Sequence, residues 1–597
     1  MRARAWKRAA QALGILLVFV LVVAAGAGLW LHGRLRASLP ALDGEQKLAG
    51  LEESVRIERD ALGIPTIHAR GRVDLARATG WLHAQDRFFQ MDLMRRQSAG
   101  ELAALIGPAA LPMDRRHRLH RFRWRAERDY GRAEPGTKEI LEAYTEGVNA
   151  GLEALGADPP EYLALRLSPE PWRETDSLLV LFSMYLDLQG GTGWRESAMG
   201  LLRDRLPAPL FEFLLPGVTE WDAPVSGAVS PAPSLPGPEV IDLRAPAVPE
   251  AARARPGDRE AAAEAVLPGS NNWAVAGTWT AGGGAIVAND MHLGLQLPNV
   301  WYRVSFAWTE SGPEEDEYRA TGATLPGTPA LVVGSNGRVA WGFTNSYGDW
   351  IDLVLLETDP EDGSRYRAPD GWRSFERFEE RIEVKGGEAE TLEVLETIWG
   401  PVLDTDHEGR RRAVRWVAHD PEGANFRLTG LERAADVDEA IAIARQSGIP
   451  AQNLVVADAD GHIAWTVMGM MPRRFGHDGT VPVSWADGDR GWDGWLDPSE
   501  YPAVVDPAGG RLWTANNRVV AGRGPRDMPL GARAGQIRDG LLALEKATVA
   551  EMLAIQLDDR ALFLERWREL LLDTLDETAL AGDPRPVSYT HLRAHET

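Results

Sequence analysis

The chain opens with a stretch that has no polar face. From Ala12 to Leu31 no residue is charged, and about 20 such residues suffice for a helix to cross a hydrocarbon core. Arg2, Arg4, Lys7 and Arg8 precede the run, and Ala25-Gly26-Ala27 lies near its end. Residues 1–34 therefore read either as a secretory signal or as an uncleaved membrane anchor. No second run of this kind follows, so the remainder is expected to be exported, in the periplasm or tethered facing it. Beyond the run, alternation from Leu51 to Ala69 with a turn at Gly63 and Pro65 predicts a strand pair. Helical spacing then takes over from Asp74 to Ile106, from Lys138 to Leu155 and, after Pro169-Glu170-Pro171, from Asp176 to Leu188.

Between about Val218 and Pro268 Pro, Ala, Gly, Glu and Arg replace the periodic pattern, the composition of a linker. From Ser270 the texture turns to short apolar strands, with hairpin signals at Asn336-Gly337 and Asp460-Gly461. A helix-rich first part followed by a strand-rich second part indicates α+β layering rather than a parallel βαβ sheet.

Composition narrows the chemistry. The 597 residues are 44% hydrophobic and 25% charged, with a net charge of −23, an acidic balance that disfavours nucleic-acid phosphates as partners. There is no cysteine, hence no disulfide, thiolate metal site or Cys nucleophile. No dinucleotide, Walker, zincin or lipase motif is present. The 22 tryptophans read as core and strand residues.

The informative serine is Ser270, in Gly269-Ser270-Asn271-Asn272-Trp273. Locally it is a turn residue at a loop-to-strand junction. Were the bond after Gly269 cut, its own α-amine, titrating near pH 8, would serve as general base for its hydroxyl. Asp60–His68 (D-A-L-G-I-P-T-I-H) and Gly80–Ala103 (G-W-L-H-A-Q-D-R-F-F-Q-M-D-L-M-R-R-Q-S-A-G-E-L-A) precede it. Asn289–Leu295 (N-D-M-H-L-G-L), Leu325–Asn345 and Thr514–Arg518 (T-A-N-N-R) follow it. In these motifs and their order, from about Leu51 to about Leu544, the chain resembles the penicillin acylase family of N-terminal nucleophile hydrolases.

The resemblance implies a four-layer αββα sandwich with a helix-rich first subunit (35–217), a spacer (218–269) and a catalytic second subunit (270–586), joined as a heterodimer from one precursor. It implies an amidohydrolase acting on an N-acylated small molecule such as a penicillin or an acyl-homoserine lactone. Cleavage would fall between Gly269 and Ser270. Ser270 would be nucleophile and base, His292 would help orient the amine, and Arg533 would support the site. Asn516, with the Asn345 backbone N–H, would form the oxyanion hole. It also implies structural calcium on Asp349, Asp352, the Ile351 carbonyl, Glu196 and the Pro472 carbonyl, with Asp527 the nearest counterpart of one further carboxylate. No organic cofactor is implied. Relatives continue further, so the chain is expected to be truncated, and Val587–Thr597, with His591 and His595, matches nothing in the family and reads as a non-native tail. The alternative is a non-catalytic, membrane-tethered binding or scaffold protein that keeps the fold.

Overall fold

The apolar run lies within one long helix, Arg2–Ala37, whose hydrophobic side chains are exposed. The structure is a computed structural model that describes residues 2–215, 217–231, 233–242, 269–310, 316–521, 524 and 530–574. Most of the expected spacer, Asp527 and the tail with His591 and His595 lie outside the described residues.

The predicted strand pair forms as Arg56–Arg59 against Pro65–Arg70. The helix that follows, Arg72–Ala99, is shorter than its hydrophobic period suggested. Gly100 adopts φ 66° and ends it; a Cβ there would lie 2.8 Å from the Asp114 carbonyl oxygen, so only glycine permits the close turn. The next helices span Pro135–Glu153 and Glu174–Gln189. The first crosses Arg72–Ala99 at near backbone contact, since a Cβ at Gly147 would sit 1.9 Å from the Arg77 carbonyl oxygen. Glycine at such a crossing trades about 1 kcal/mol of helix propensity for that approach.

One nine-stranded sheet carries both halves of the chain. Its order is Arg56–Arg59, Pro65–Arg70, Tyr302–Glu310, Asp316–Thr324, Leu331–Ser335, Val339–Asn345, Gln452–Asp458, Ile463–Met468 and Ala503–Val505. Pro65–Arg70 pairs in parallel with Tyr302–Glu310, so the helix-rich first part also supplies two strands to the sheet of the second. Both hairpins signalled by Asn-Gly and Asp-Gly are present.

A second sheet, ordered Arg511–Thr514, Gly269–Val275, Ile286–His292, packs against the first. Thr344 Oγ1 meets Thr514 Oγ1 at 3.2 Å, and Gly342 lies so close to Asn289 that a Cβ there would be 2.7 Å from the Asn289 Cβ. Strand alternation turns Phe343 and Trp341 to the opposite face, the side on which Ala440, Ile441 and Ala444 of helix Val437–Ala444 join the core. On the far side of the small sheet, Trp273 and Val275 pack with Ala534, Ile537 and Leu541 of helix Ala532–Leu542. The order is helix, sheet, sheet, helix. A five-stranded sheet, Glu376–Ile382, Glu390–Thr397, Gly400–Thr405, Arg411–Trp416 and Ile351–Leu355, flanks it.

The shift in composition at Val218 does not mark the end of packed chain. Thr219 and Asp222 cap a short turn, Val225 N donates to Val519 O at 2.8 Å, and Trp513 Nε1 donates to Ala223 O at 2.8 Å. The start of the Pro- and Ala-rich stretch is thus tied to the strand-rich half by backbone hydrogen bonds, which composition does not reveal.

Candidate active site

Ser270 is the second residue of the central strand of the small sheet, with Gly269 opposite His292 and Ser270 opposite Met291. Period-two alternation sends Asn271 and Trp273 toward helix Ala532–Leu542 and leaves Ser270, Asn272 and Ala274 on the other face. Ser270 is 7% exposed. Its Oγ donates to the carbonyl oxygen of Gly269 at 2.6 Å, and its backbone N–H donates to Asn516 Oδ1 at 2.7 Å.

Asn516 is the centre of the site. It is 1% exposed and has φ 68°, a left-handed conformation that asparagine tolerates better than most residues. Its Oδ1 also accepts from Arg533 Nη2 at 2.8 Å, and its Nδ2 donates to the Asn345 carbonyl at 2.8 Å. Arg533 Nη1 reaches Ser270 O at 2.8 Å and Asn271 Oδ1 at 2.6 Å. The guanidinium thus holds three acceptors around Ser270 in fork geometry. Burial lowers its pKa, opposed by Tyr347 and Asp290.

The structure brings Ser270, Asn516, Asn345 and Arg533 together by direct hydrogen bonds. Asn345 enters through its carbonyl, while its Nδ2 donates to Leu188 O at 3.0 Å and so fastens the site to the helix-rich half. His292 stands one strand away, opposite Gly269 rather than on the Ser270 nitrogen. Its Nε2 lies 2.7 Å from Asp290 Oδ2, and its Nδ1 is 3.4 Å from where a Gly269 Cβ would be. Its hydrogen bond depresses the Asp290 pKa, with burial opposing.

Reading the sequence missed several members. Asn289 Nδ2 donates to the carbonyls of Asn271 and Phe343, each at 2.8 Å, stitching the two sheets beside the serine. Asn453 Nδ2 reaches Thr344 Oγ1 at 3.0 Å. Asn272 is fully buried and neither its Oδ1 nor its Nδ2 has a partner. The one signal was the density of asparagines near the serine, and an isolated Asn reads as a turn residue.

An apolar cavity of ≈ 90 Å³ begins at Ser270 and is walled by Met184, Met291, Trp301, Phe343 and Phe426, among others. Such a pocket suits an aliphatic or aromatic acyl group, with the polar atoms of the serine at one end.

The predicted metal ligands converge in part. Glu196 Oε2 accepts from Leu353 N at 2.6 Å. Burial, then Asp352 and Asp349, push the Glu196 carboxyl well above the usual carboxylate range. Arg474 lies between the two aspartates, with Nη2 3.0 Å from Asp349 Oδ1 and Nε 2.7 Å from Asp352 Oδ2. Trp492 Nε1 also donates to Asp352 Oδ2. Asp352 Oδ1 is buried and accepts no hydrogen bond. Three carboxylates are the donor type a hard dication prefers, while Arg474 already pairs with both aspartates and His477 Nδ1 lies 3.8 Å from Asp352 Oδ1. Among the described residues, the acidic and histidine donor atoms that converge within 4.8 Å are those of Asp204, His407 and Glu408 instead. The sequence reading missed Arg474, the cation that balances the aspartates.

A serine heads the central strand, its backbone nitrogen held by Asn516, its own carbonyl by Arg533 and its hydroxyl on the preceding carbonyl. The penicillin amidase family model matches residues 54–594, and the chain belongs to that family; the match runs into the stretch from Val587 that was expected to match nothing in it. It is 34% identical over 534 residues to the penicillin acylase 2 proenzyme of Pseudomonas sp. (strain SE83), covering 88% of this chain and 67% of that protein. It is 32% identical over 518 residues to the acyl-homoserine lactone acylase QuiP of Pseudomonas aeruginosa, covering 83% and 59%. With the penicillin G acylase of Escherichia coli the identity is 26% over 532 residues, covering 80% and 60%. The chain thus spans about three fifths to two thirds of the length of these relatives.

Proposed function

We propose that the protein is a self-processing amidohydrolase of N-acylated small molecules, with Ser270 as nucleophile. The observation that carries this reading is the 2.6 Å contact from Ser270 Oγ to the carbonyl oxygen of Gly269, made while Asn516 Oδ1 holds the Ser270 N–H. In processing, Oγ attacks the Gly269 carbonyl carbon and the bond from that carbon to Ser270 N breaks. The nitrogen gains the proton that Oγ loses, and an ester remains. Water hydrolyses the ester and leaves a Gly269 carboxylate and a free Ser270 amine. If Asp290 accepts the Nε2 proton of His292, the Nδ1 lone pair faces Gly269 and can relay the Oγ proton.

In turnover the freed amine takes the Oγ proton as the oxygen bonds to the substrate carbonyl carbon. The substrate's amine leaves with that proton, and water then releases the acyl group as a carboxylic acid. Asn516 Oδ1 keeps the α-amine oriented. Its Nδ2, turned from the Asn345 carbonyl, and the Asn345 N–H serve the oxyanion, where losing one donor costs about 3–4 kcal/mol. Penicillins and acyl-homoserine lactones, the substrates in the relatives' names, both carry the N-acyl amide this chemistry needs.

Calcium belongs to the same reading. Glu196, Asp349 and Asp352, with the Ile351 and Pro472 carbonyls, would hold it, and the ion would supply charge that ties the first part to the second. The long apolar helix supports export and a tether at the membrane. The test is intact mass and N-terminal sequencing of the full chain beside Ser270→Ala. The expected outcome is a fragment beginning Ser-Asn-Asn-Trp that the variant lacks, together with release of a chromogenic amine from an N-acyl amide. Cleavage by Ser270→Ala at the same bond refutes the mechanism, and an uncut, inactive wild-type chain favours the scaffold.

A further inference from the structure

The proposed oxyanion hole requires one side chain to break a hydrogen bond. Asn516 Nδ2 donates to the Asn345 carbonyl at 2.8 Å and must turn from it to reach the substrate oxygen. Asn345 is buried, and a buried carbonyl that loses its donor cancels much of what the turn gains. The strand ladder offers no replacement. Ala459 N donates to Arg338 O at 2.8 Å, and in the antiparallel register of Gln452–Asp458 on Val339–Asn345 bonded pairs recur at every second position. Asn453 opposite Thr344 is therefore a bonded pair and Gln452 opposite Asn345 is not, so the Asn345 carbonyl points away from that strand. Phe343, two residues earlier, points the same way: its N–H donates to Asn289 Oδ1 and its carbonyl accepts from Asn289 Nδ2.

A second amide is within reach. Asn453 Nδ2 donates to Thr344 Oγ1 at 3.0 Å and lies 3.4 Å from the Asn345 carbonyl oxygen, a long contact while Asn516 is in place. Its orientation is fixed. Asn453 Oδ1 accepts from Trp465 Nε1 at 3.1 Å, and an indole N–H can only donate, so the amide cannot flip and Nδ2 must face residues 344 and 345. Thr344 Oγ1 also meets Thr514 Oγ1 at 3.2 Å, two residues before Asn516. Asn453 belongs to a strand whose seven residues are all buried and continue as Leu454, Val455, Val456 and Ala457. A polar side chain there carries a desolvation cost that an aliphatic one would not.

We propose that Asn453 is the positioning residue of the oxyanion hole: its Nδ2 closes on the Asn345 carbonyl as Asn516 Nδ2 turns to the substrate oxygen, so that the exchange leaves no buried group unpaired. The inference rests on the amidohydrolase reading and adds to it a residue that acts only through residues 344 and 345.

The test compares full-length wild type with Asn453→Leu, which is similar in shape and lacks the donor. For a chromogenic N-acyl amide, kcat per cleaved chain is expected to fall about tenfold, within what an unpaired buried carbonyl costs. KM is expected to hold, because the loss is felt only as the oxyanion develops. Affinity for a boronic acid, whose tetrahedral adduct on the serine mimics the oxyanion, is expected to fall by the same factor. Affinity for the carboxylic acid product and the rate of cleavage after Gly269 should both stay as in wild type. Neither affinity depends on the fraction of chains that fold, so unchanged boronic acid binding, or equal loss for both ligands, overturns the proposal. Should Asn453→Leu remain uncut, Trp465→Phe decides, since it removes the N–H that orients the amide and keeps an aromatic ring. It is expected to cleave and to lose about twofold in boronic acid affinity alone, because an amide free to flip faces the carbonyl correctly about half the time. Unchanged affinity, equal loss for both ligands, or an uncut chain here too assigns Asn453 to the fold and overturns the proposal. An uncut, inactive wild type sinks the amidohydrolase reading and this inference with it, whereas a cleaved, active wild type with indifferent variants sinks this inference alone.

Discussion

Replacing Asn516 probes the site more sharply than replacing the serine, because its side chain serves three partners at once. In Asn516→Ala the Ser270 N–H loses its acceptor, Arg533 loses one of three, and the Asn345 carbonyl loses a donor. Leaving a buried donor unpaired costs about 1–3 kcal/mol. Arg533 keeps Ser270 O and Asn271 Oδ1, so its share falls at the low end. Alanine at φ 68° adds about 1 kcal/mol of backbone strain. The sum is about 3–5 kcal/mol. For a chain of 597 residues the unfolding entropy is about 1.2 kcal/mol per degree, so Tm falls by about 3 °C if the chain melts as one unit. The assay is a thermal scan in the Ser270→Ala background, where cleavage cannot confound the melt. Asn516→Asp is the control: it keeps the acceptor for Ser270 N and gains charge against Arg533, so it loses less than half as much stability. In the cleavable background the same Asp variant lacks the N–H donor and is expected to lower kcat by about 10²–10³. A Tm for Asn516→Ala within a degree of its parent, with normal processing, refutes the role assigned to Asn516.

Gly269→Val inserts a branched side chain where even a Cβ would lie 3.2 Å from Arg533 Nη2 and 3.4 Å from His292 Nδ1; precursor cleavage, followed by gel densitometry, is expected to slow tenfold or more, roughly 1.4 kcal/mol of barrier. Calcium at a hundred times its Kd is expected to stabilise the chain by about 2.7 kcal/mol, and Glu196→Gln to lose most of that gain in paired melts with and without chelator. Burial presses the His83 and His120 pKa values down to about 3, so the unfolded chain takes up protons first as pH falls below about 6.5. Their contribution is complete above that pH and drains away toward pH 3, about 2 kcal/mol per histidine by pH 5. Denaturation between pH 7 and 5 should therefore steepen with acid, and His83→Gln should remove about one proton from the slope; an unchanged slope refutes it.

Much of the fold was legible because its signals are local. Helical period and alternation located the helices of the first part and the strands of the second, and Asn336-Gly337 and Asp460-Gly461 located two hairpins. Helix Arg72–Ala99 departs from this because its end is decided by Gly100 meeting the Asp114 carbonyl, a contact with the helix Leu111–Arg118 that packs back on it. The shared sheet was hidden for a similar reason: the register of Pro65–Arg70 on Tyr302–Glu310 joins residues more than two hundred positions apart, and no local pattern encodes it.

For the site, sequence by itself determined the chemistry available: a serine behind glycine after a linker, asparagines and an arginine, acidic residues around Asp349, and no cysteine. It also determined the apolar helix, since twenty uncharged residues need no partner to declare themselves. Tertiary structure alone decided which atoms meet. Asn516 reaches Ser270 across 246 positions, Arg533 enters from a separate helix, and Arg474 takes its place between two aspartates it follows by more than a hundred residues. Whether an asparagine is a turn residue or the support of a buried serine depends on burial and on which donors and acceptors surround it, and those are set only when the two sheets pack together.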